Sequence, residues 1–160
     1  MMKGVCLRYA ANEVEAEDVL QEAFIKVFSK LDSYSDIGPL GAWLRKITIN
    51  TALEQLRKKK SLKKVGELLD FSNNPPSIDD AIIERLELED LLKKIQQLPS
   101  GYRTVFNLYA IEGYTHRDIA EVLKIKEGTS KSQYSRARIM LRKMIEVEQE
   151  GDKIRLSYAK

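Results

Sequence analysis

Residues 114–145, YTHRDIAEVLKIKEGTSKSQYSRARIMLRKMI, constrain the fold more than any other stretch of the chain. Thr115 is a good helix N-cap with an aspartate three residues later, and apolar residues then recur at helical spacing, which predicts a first helix over 115–123. A tight turn over 124–127 follows, and we expect Gly128 to let the chain pass closely against the first helix. A second helix is predicted to the end of the segment, so the segment forms a helical hairpin.

The second predicted helix has two faces of different chemistry. At about 100° per residue, its inward stripe comprises Ser130, Tyr134, Ala137, Leu141, Met144 and Ile145. Its outward face comprises Thr129, Lys131, Ser132, Gln133, Ser135, Arg136 and Arg138. Between residues 126 and 143, six basic residues stand against one acid, Glu127. This pattern is typical of a DNA-binding helix-turn-helix, whose second helix enters the major groove. The alternative is an amphipathic hairpin with a solvated basic face.

The charges divide the chain into three parts. Residues 1–64 hold twelve basic and eight acidic side chains, residues 65–98 hold three and eight, and residues 99–160 hold twelve and eight. Two basic modules therefore flank an acidic connector, which favours a polyanionic partner contacted at two places. Charge alone does not distinguish nucleic acid from an acidic protein as that partner.

The first basic module is predicted to be helical. We expect helices over about 1–11, 14–31 and 42–60, with a loop over 32–41 where Ser, Asp, Gly and Pro are concentrated. The inward side of the 14–31 helix is predicted to comprise Val19, Leu20, Ala23, Phe24, Val27, Phe28 and Leu31. Six basic residues between 57 and 64 exceed what a helix end needs to complement its own dipole, so this end of the third helix is a candidate contact for a phosphate backbone.

The remainder completes an all-α protein of two small helical bundles. Paired asparagines and prolines at 73–76 mark a flexible linker over 65–77, between a first domain at 1–64 and a second at 78–147. In the second domain a helix over about 78–97 and another from Pro99 to Gly113 precede the helix-turn-helix. Residues 148–160 are expected to be a frayed tail, and no strand-period segment or repeat of convincing length is present.

Composition argues against several other classes of protein. The apolar runs are too short to span a membrane, so no membrane insertion is expected. One cysteine, Cys6, excludes an internal disulfide framework and suits a reducing compartment, which predicts a buried thiol and a cytoplasmic protein. The single histidine, His116, lies in the other module, and glycine-rich phosphate loops are missing. We therefore expect no catalytic residues, no metal site, no cofactor and no small-molecule substrate.

Two stretches, in this order, resemble the sigma factors of bacterial RNA polymerase, specifically the extracytoplasmic-function (ECF) type. EAEDVLQEAFIKVFSKLDSY followed by GAWLRKITINTALEQLRKKK is similar to region 2 of that family. LPSGYRTVFNLYAIEGYTHRDIAEVLKIKEGTSKSQYSRARIMLRKMI is similar to region 4. Together they span about residues 5–145, and the paired signal is more specific than a helix-turn-helix alone.

The resemblance implies a subunit that binds core RNA polymerase, recognises the −35 element of promoter DNA with region 4, and recognises and melts the −10 element with region 2. At the −35 element it implies contacts from Thr129, Lys131, Ser132, Gln133, Ser135, Arg136 and Arg138. At the −10 element it implies contacts from Tyr34, Arg45, Lys46, Asn50, Arg57 and Lys58, with Tyr34 as the stacking residue and Asn50 on a flipped base. For core polymerase it implies Asp18, Gln21 and Glu22, and an apolar groove around Val105, Phe106 and Tyr109 that receives the flap-tip helix. It also implies an anti-sigma partner.

The chain departs from the family pattern at two places. The family has a further stretch of helix before the VCLRYA segment, so region 2 is expected to be truncated, mis-started or incompletely represented at its N-terminus. Ser130, Gln133 and Tyr134 replace the commoner Val, Arg and Leu, and Gln133 would favour adenine where arginine favours guanine. Two alternatives remain open from the sequence: a stand-alone helix-turn-helix regulator that binds a two-fold symmetric operator as a dimer, and an enzyme or scaffold with a basic helix.

Overall fold

A computed structural model describes residues 1–34, 38–62 and 88–158, with the side chains of 60–62, 88 and 148–158 excepted. The chain divides into two compact units, Met1–Ser72 and Asn73–Lys160. Within the described residues the secondary structure is helical and includes no strand, as the sequence predicts. The predicted linker over 65–77 lies outside the described residues, as do residues 35–37 of the predicted loop.

The N-terminal unit packs three helices: α1 (Met2–Tyr9), α2 (Glu13–Ser29) and α3 (Leu40–Leu62). A 3-10 turn, Leu31–Ser33, follows α2. The side chain of Asn12 caps α2 by accepting a 2.9 Å hydrogen bond from the Glu15 backbone N–H. The buried apolar residues of this unit are Met2, Val5, Cys6, Tyr9, Ala10, Ala16, Val19, Ala23, Val27, Ile49, Ala52 and Leu53. Cys6 is buried as predicted, and burial raises the pKa of its thiol to about 11.

The inward face of α2 is narrower than predicted. Phe24, Phe28 and Leu31 are 43%, 69% and 48% exposed, so their predicted place in the core is wrong. The buried side of α2 follows Ala16, Val19, Ala23 and Val27, where small residues allow α1 and α3 to approach closely. The two phenylalanine rings lie on the flank of that stripe and stack on each other with centroids 6.4 Å apart.

The C-terminal unit contains α4 (Leu88–Gln97), α5 (Ser100–Phe106), a π-helical segment (Asn107–Ile111), α6 (His116–Leu123) and α7 (Glu127–Tyr158). Its core joins Ile95, Leu98, Phe106, Ala137 and Leu141. The predicted inward stripe of α7 is confirmed: Ser130, Ala137, Leu141 and Ile145 are buried, and Tyr134 and Met144 are half-buried. The backbone of α7 stays helical to Tyr158, past the predicted end at 145 and through most of the predicted frayed tail.

The predicted helix between Pro99 and Gly113 contains a change of helical geometry. The Glu112 N–H donates to the Asn107 carbonyl five residues earlier, at 3.0 Å, which is the hydrogen bond of a π-helix. Gly113, with φ +75°, then ends the segment in the left-handed conformation that glycine favours. The extra residue in this turn changes which side chains continue the inner face of α5.

No helix among the described residues combines the length and the apolar character needed to cross a lipid bilayer.

Arg103 fixes the end of α4 against α5. Its side chain is 3% exposed, and its Nη1 donates a 2.6 Å hydrogen bond to the carbonyl of Gln96 in the last turn of α4. Carbonyls in a last helical turn lack intrahelical donors, and a cation there is favoured by the helix dipole.

Replacing Arg103 with methionine keeps an unbranched apolar stem but removes the donor. We expect Arg103→Met to lower the free energy of unfolding of the C-terminal unit by about 2–3 kcal/mol, because a lost buried hydrogen bond to a charged group costs about that much. Urea unfolding followed by circular dichroism measures the loss. Fluorescence of the single tryptophan, Trp43, reports on the N-terminal unit and should not change. Arg117→Met, at an 83% exposed side chain, is the matched control, and equal losses in the two variants would contradict this role for Arg103.

Candidate nucleic-acid interface

The turn between α6 and α7 is fixed by local hydrogen bonds. The Thr115 Oγ1 accepts from the Asp118 backbone N–H at 3.2 Å, and the Asp118 carboxylate accepts from the Thr115 N–H at 3.0 Å, which completes a capping box. Lys124 ends α6 in the left-handed conformation, with φ 54°. A side chain at Gly128 would meet no atom within 4 Å, so the predicted close passage at this glycine is wrong. The turn is made at Lys124 instead.

The outer face of α7 is graded in exposure. Lys131 and Ser132 are exposed, whereas Thr129, Gln133, Ser135, Arg136 and Arg138 are half-buried. The amide of Gln133 lies 3.5 Å from the position that a Cβ on Gly101 would occupy, and Arg136 Nη1 lies 3.5 Å from Tyr102 Oη. Arg138 lies over the Tyr134 ring, 5.8 Å from its centroid. Residues at the start of α5 therefore pack against the side chains of Gln133 and Arg136 and limit the directions in which these side chains can extend.

His116, at the first turn of α6, joins three elements. Its Nδ1 is 2.9 Å from the hydroxyl of the fully buried Ser130 on α7. Its ring stacks on Tyr109 of the π-helical segment at 4.2 Å and 11°, and contacts the edge of Tyr134 at 5.8 Å. Burial first, and the charge of Lys131 second, lower the pKa of His116 below its usual value. The sequence had placed His116 only at the start of a helix, and the spacing of residues gave no signal of this cluster.

In the N-terminal unit, an open cavity of about 330 Å³ lies between the end of α2 and the start of α3. Its lining comprises Ser33, Tyr34, Gly38, Pro39, Ala42, Trp43 and Lys46. The Tyr34 hydroxyl donates to the Gly38 carbonyl at 2.6 Å, and the Tyr34 and Trp43 rings lie 5.2 Å apart, tilted by 50°. The cavity therefore combines aromatic rings with a lysine, a chemistry that suits an unstacked base and its phosphate. Trp43 is not among the contacts predicted from the sequence and is an addition to the site.

The other predicted DNA-contacting residues follow along α3. Asn50 is exposed one helical turn beyond the cavity residue Lys46, Arg45 is half-buried, and Arg57 and Lys58 are exposed. On the inner side of the helix between Arg45 and Arg57, the buried Thr48 and Thr51 hydroxyls are satisfied by donating to the Leu44 and Ile47 carbonyls of the same helix, at 2.8 and 2.9 Å. The basic positions and Asn50 thus lie on one continuous helix, distinct from the helix-turn-helix.

The polar side of α2 includes both exposed residues and residues anchored to α3. Asp18 and Gln21 are exposed, as their predicted contact with a protein partner requires. Glu22 is different, because its carboxylate accepts from Gln55 at 2.9 Å and pairs with Lys26 at 3.1 Å and with Lys58 at 3.7 Å. The Gln55 hydrogen bond is the largest cause of a lowered Glu22 pKa. Glu22 therefore joins α2 to α3 in the structure.

The predicted apolar groove around Val105, Phe106 and Tyr109 is not present as a surface. Val105 and Phe106 are buried in the core of the C-terminal unit, and their contact with the polymerase stays a prediction. Tyr109 is 38% exposed and stacks on His116. The physical reason is that α5 packs against α7, where Phe106 joins Ala137 and Leu141 in one core.

A metal site is not supported by the described part of the chain, where no group of His, Cys, Asp and Glu is arranged to hold an ion.

The two helical units correspond to two known protein families. Residues 1–62 match the model of Sigma-70 region 2, and residues 88–141 match the model of Sigma-70, region 4. The chain is 33% identical over 155 residues to the ECF RNA polymerase sigma factor SigW of Bacillus subtilis, an alignment that covers 88% of this chain and 81% of the relative. It is 33% identical over 153 residues to the RNA polymerase sigma-H factor of Pseudomonas aeruginosa, covering 89% and 79%. Among solved structures it resembles the sigma factor RpoE of Bartonella quintana in complex with the anti-sigma factor NepR, with a TM-score of 0.55, 26% identity and coverage of 91% and 90%.

The anchoring of Glu22 predicts a stability effect that depends on pH. A carboxylate with a lowered pKa contributes stability above its usual value of 4.5 and loses it as the pH falls below that value. We expect Glu22→Gln to lower the free energy of unfolding of the N-terminal unit at neutral pH by about 0.5–1.5 kcal/mol. We expect the difference from the unmodified protein to shrink in acid. Urea unfolding followed by Trp43 fluorescence measures it. Glu17→Gln, at an exposed position of the same helix, is the control, and a pH-independent loss would contradict the role of the Glu22 charge.

Proposed function

This chain belongs to the extracytoplasmic-function sigma factors of bacterial RNA polymerase, and from that premise we propose how its residues direct the polymerase to a promoter. As a sigma factor it directs core RNA polymerase to promoters for transcription initiation. The observation that carries this conclusion is the presence of both sigma regions, in family order, on one chain. A dimeric helix-turn-helix regulator is not favoured, because it gives no role to the first region.

In the proposed assignment, α7 contacts the −35 element in the major groove. Its start carries the exposed Lys131 and Ser132, which lie where base edges and phosphates would approach. Lys131 pairs with the exposed Glu127 at 2.7 Å and can exchange that partner for a phosphate. Gln133 and Arg136 are supported by α5, which lowers the conformational entropy lost when they bind DNA. Thr129, Ser135 and Arg138 complete the proposed contact surface.

In the same assignment, the N-terminal unit recognises and melts the −10 element. Separating base pairs requires binding energy for unstacked bases, and the Tyr34–Trp43 cavity offers both stacking surfaces and the cationic Lys46. Asn50 is assigned to a flipped base because it is an exposed amide one turn beyond that cavity. Arg45, Arg57 and Lys58 are assigned to phosphates, and this part of the affinity should weaken with salt.

The proposed polymerase contact lies on the exposed side of α2. Asp18 and Gln21 share a helical face with Ile25 and Phe28, which are each 69% exposed. A polar and apolar strip of this kind suits a helical partner, because apolar area supplies affinity and the polar groups fix register. We assign Glu22 a supporting role through α3, and Tyr109 remains an exposed candidate in the C-terminal unit.

The proposal includes an anti-sigma partner, because RpoE of Bartonella quintana was solved with the anti-sigma factor NepR. Since sigma factors are non-enzymatic initiation subunits, we propose that the protein itself performs no catalysis and acts in the cytoplasm with core polymerase.

Transcription in a purified system tests the function. Core RNA polymerase is incubated with genomic promoter fragments, with and without this protein, and run-off transcripts are measured. We expect promoter-specific transcripts only when the protein is present, because core enzyme alone lacks the determinants for −35 and −10 recognition. Absence of both core binding and transcripts would contradict the proposal.

Arg136 tests the assignment of α7. Arg136→Ala should weaken holoenzyme binding to the promoter by about 1–3 kcal/mol if the guanidinium contacts a base, and should relax specificity at one −35 position. Arg142→Ala is the matched control, because Arg142 is exposed further along the same helix and pairs with Glu146 at 2.6 Å. Filter binding to single-base promoter variants measures both quantities. An equal loss for the two variants would assign Arg136 to general electrostatics.

A further inference from the structure

His116 is a titratable group inside the helix-turn-helix, and its contacts link it to the start of the recognition helix. The imidazole lies between the Tyr109 ring and the buried hydroxyl of Ser130, with the edge of Tyr134 beside it. Ser130 is one residue before Lys131, the exposed cation at the start of the proposed DNA surface. A change of charge at His116 is therefore transmitted over a short distance to the surface that meets DNA.

The surroundings of the ring disfavour a positive charge in the free protein. The titratable and charged groups around it are Tyr109 in the π-helical segment, Tyr114 before α6, Arg117 and Asp118 on α6, and Glu127, Lys131 and Tyr134 on α7. The Glu127 carboxylate is shared with Lys131, at 2.7 Å, and Asp118 is engaged by Thr115. Partial burial and the neighbouring Lys131 therefore keep the imidazole neutral near neutral pH, which is consistent with its lowered pKa.

The hydrogen-bond partners can nevertheless accommodate a second proton without a rearrangement. A serine hydroxyl donates one hydrogen and accepts others, so Ser130 can donate to a neutral Nδ1 or accept from a protonated Nδ1–H at the same 2.9 Å. The face of Tyr109, parallel to the imidazole at 4.2 Å, favours a cation over its ring. The ring can therefore take up a proton without losing the Ser130 hydrogen bond or the Tyr109 contact, and a more negative local potential would favour that uptake against the cost of burial.

Promoter DNA supplies such a change. On the assignment proposed above, phosphates approach the start of α7 and neutralise Lys131, the cation whose charge disfavours a positive imidazole at His116. We propose that binding of the −35 element by this sigma factor is coupled to uptake of one proton by His116, so that promoter affinity rises as the pH falls. By thermodynamic reciprocity, a group that gains a proton on DNA binding must also strengthen that binding when it is already protonated. The inference rests on the proposed function.

The chain has one histidine, which makes the proton directly observable. Nuclear magnetic resonance of the full chain, labelled at histidine, follows the ring signals over about pH 5.5 to 8, where an ordinary histidine titrates. The titration is recorded free and with the −35 duplex of a promoter on which the holoenzyme initiates. We expect the midpoint to lie below 6.5 in the free protein and to move upward with the duplex. A midpoint that stays in place while the duplex is bound would overturn the proposal.

Holoenzyme affinity for the same promoter provides the second measurement. The unmodified holoenzyme should bind the promoter up to about tenfold more tightly at about pH 5.5 than at about pH 8. Each tenfold in affinity corresponds to a difference of one unit between the His116 pKa in the bound and free states. His116→Gln keeps an amide that can hydrogen-bond Ser130 but does not titrate, and we expect it to bind with little pH dependence. An equal pH dependence in both holoenzymes would overturn the assignment to His116.

Two different failures can be distinguished. If the holoenzyme makes no promoter-specific transcripts at all, the proposed function fails. Normal transcription with an unmoved His116 midpoint rejects only the proton coupling.

Discussion

Burial of one face of α7 is the constraint on which the C-terminal unit depends. Ser130, Ala137, Leu141 and Ile145 recur at helical spacing and are almost completely buried, and α5 and α6 both pack against this helix. Because those residues must face inward, the hydroxyl, amide and basic residues between them must face outward. The surface proposed to contact the −35 element is therefore a direct consequence of core packing, and α5 adds support behind Gln133 and Arg136.

In the N-terminal unit, the corresponding constraint is the seam between α2 and α3. Lys26 pairs with Glu54 at 2.6 Å, and Gln55 donates to Glu22 at 2.9 Å, so polar contacts continue where the apolar core ends. This seam joins the helix proposed to bind polymerase to the helix proposed to bind the −10 element. A single exposed ion pair contributes little to the free energy of unfolding. Glu22 contacts Lys26, Gln55 and Lys58 at once, so we expect its carboxylate to stabilise this unit more than any other charged residue of the seam.

Periodicity predicted the helices but not how many of their apolar side chains the neighbouring helices cover. The inward stripe of α7 and the N-cap at Thr115 followed from spacing alone, since both depend on residues within a few turns. Phe24 and Phe28 were placed inside because the sequence cannot show how wide a stripe the neighbouring helices cover. The groove around Val105, Phe106 and Tyr109 was implied by the family resemblance, which does not show how fully the neighbouring helices cover those side chains. The resemblance to ECF sigma factors, by contrast, was visible from two motifs in order and is confirmed by the family comparisons.

The two units have different proposed tasks on one promoter, and footprinting of the open complex tests this division most directly. Hydroxyl-radical protection reports contact at each element, and permanganate reactivity of thymines reports unpaired DNA. With holoenzyme, we expect protection at −35 and −10 and reactive thymines only at −10. With an Asn50→Ala holoenzyme, −35 protection should persist while the −10 reactivity falls. Symmetric protection by the protein without core polymerase, or undiminished thymine reactivity with Asn50→Ala, would contradict the account.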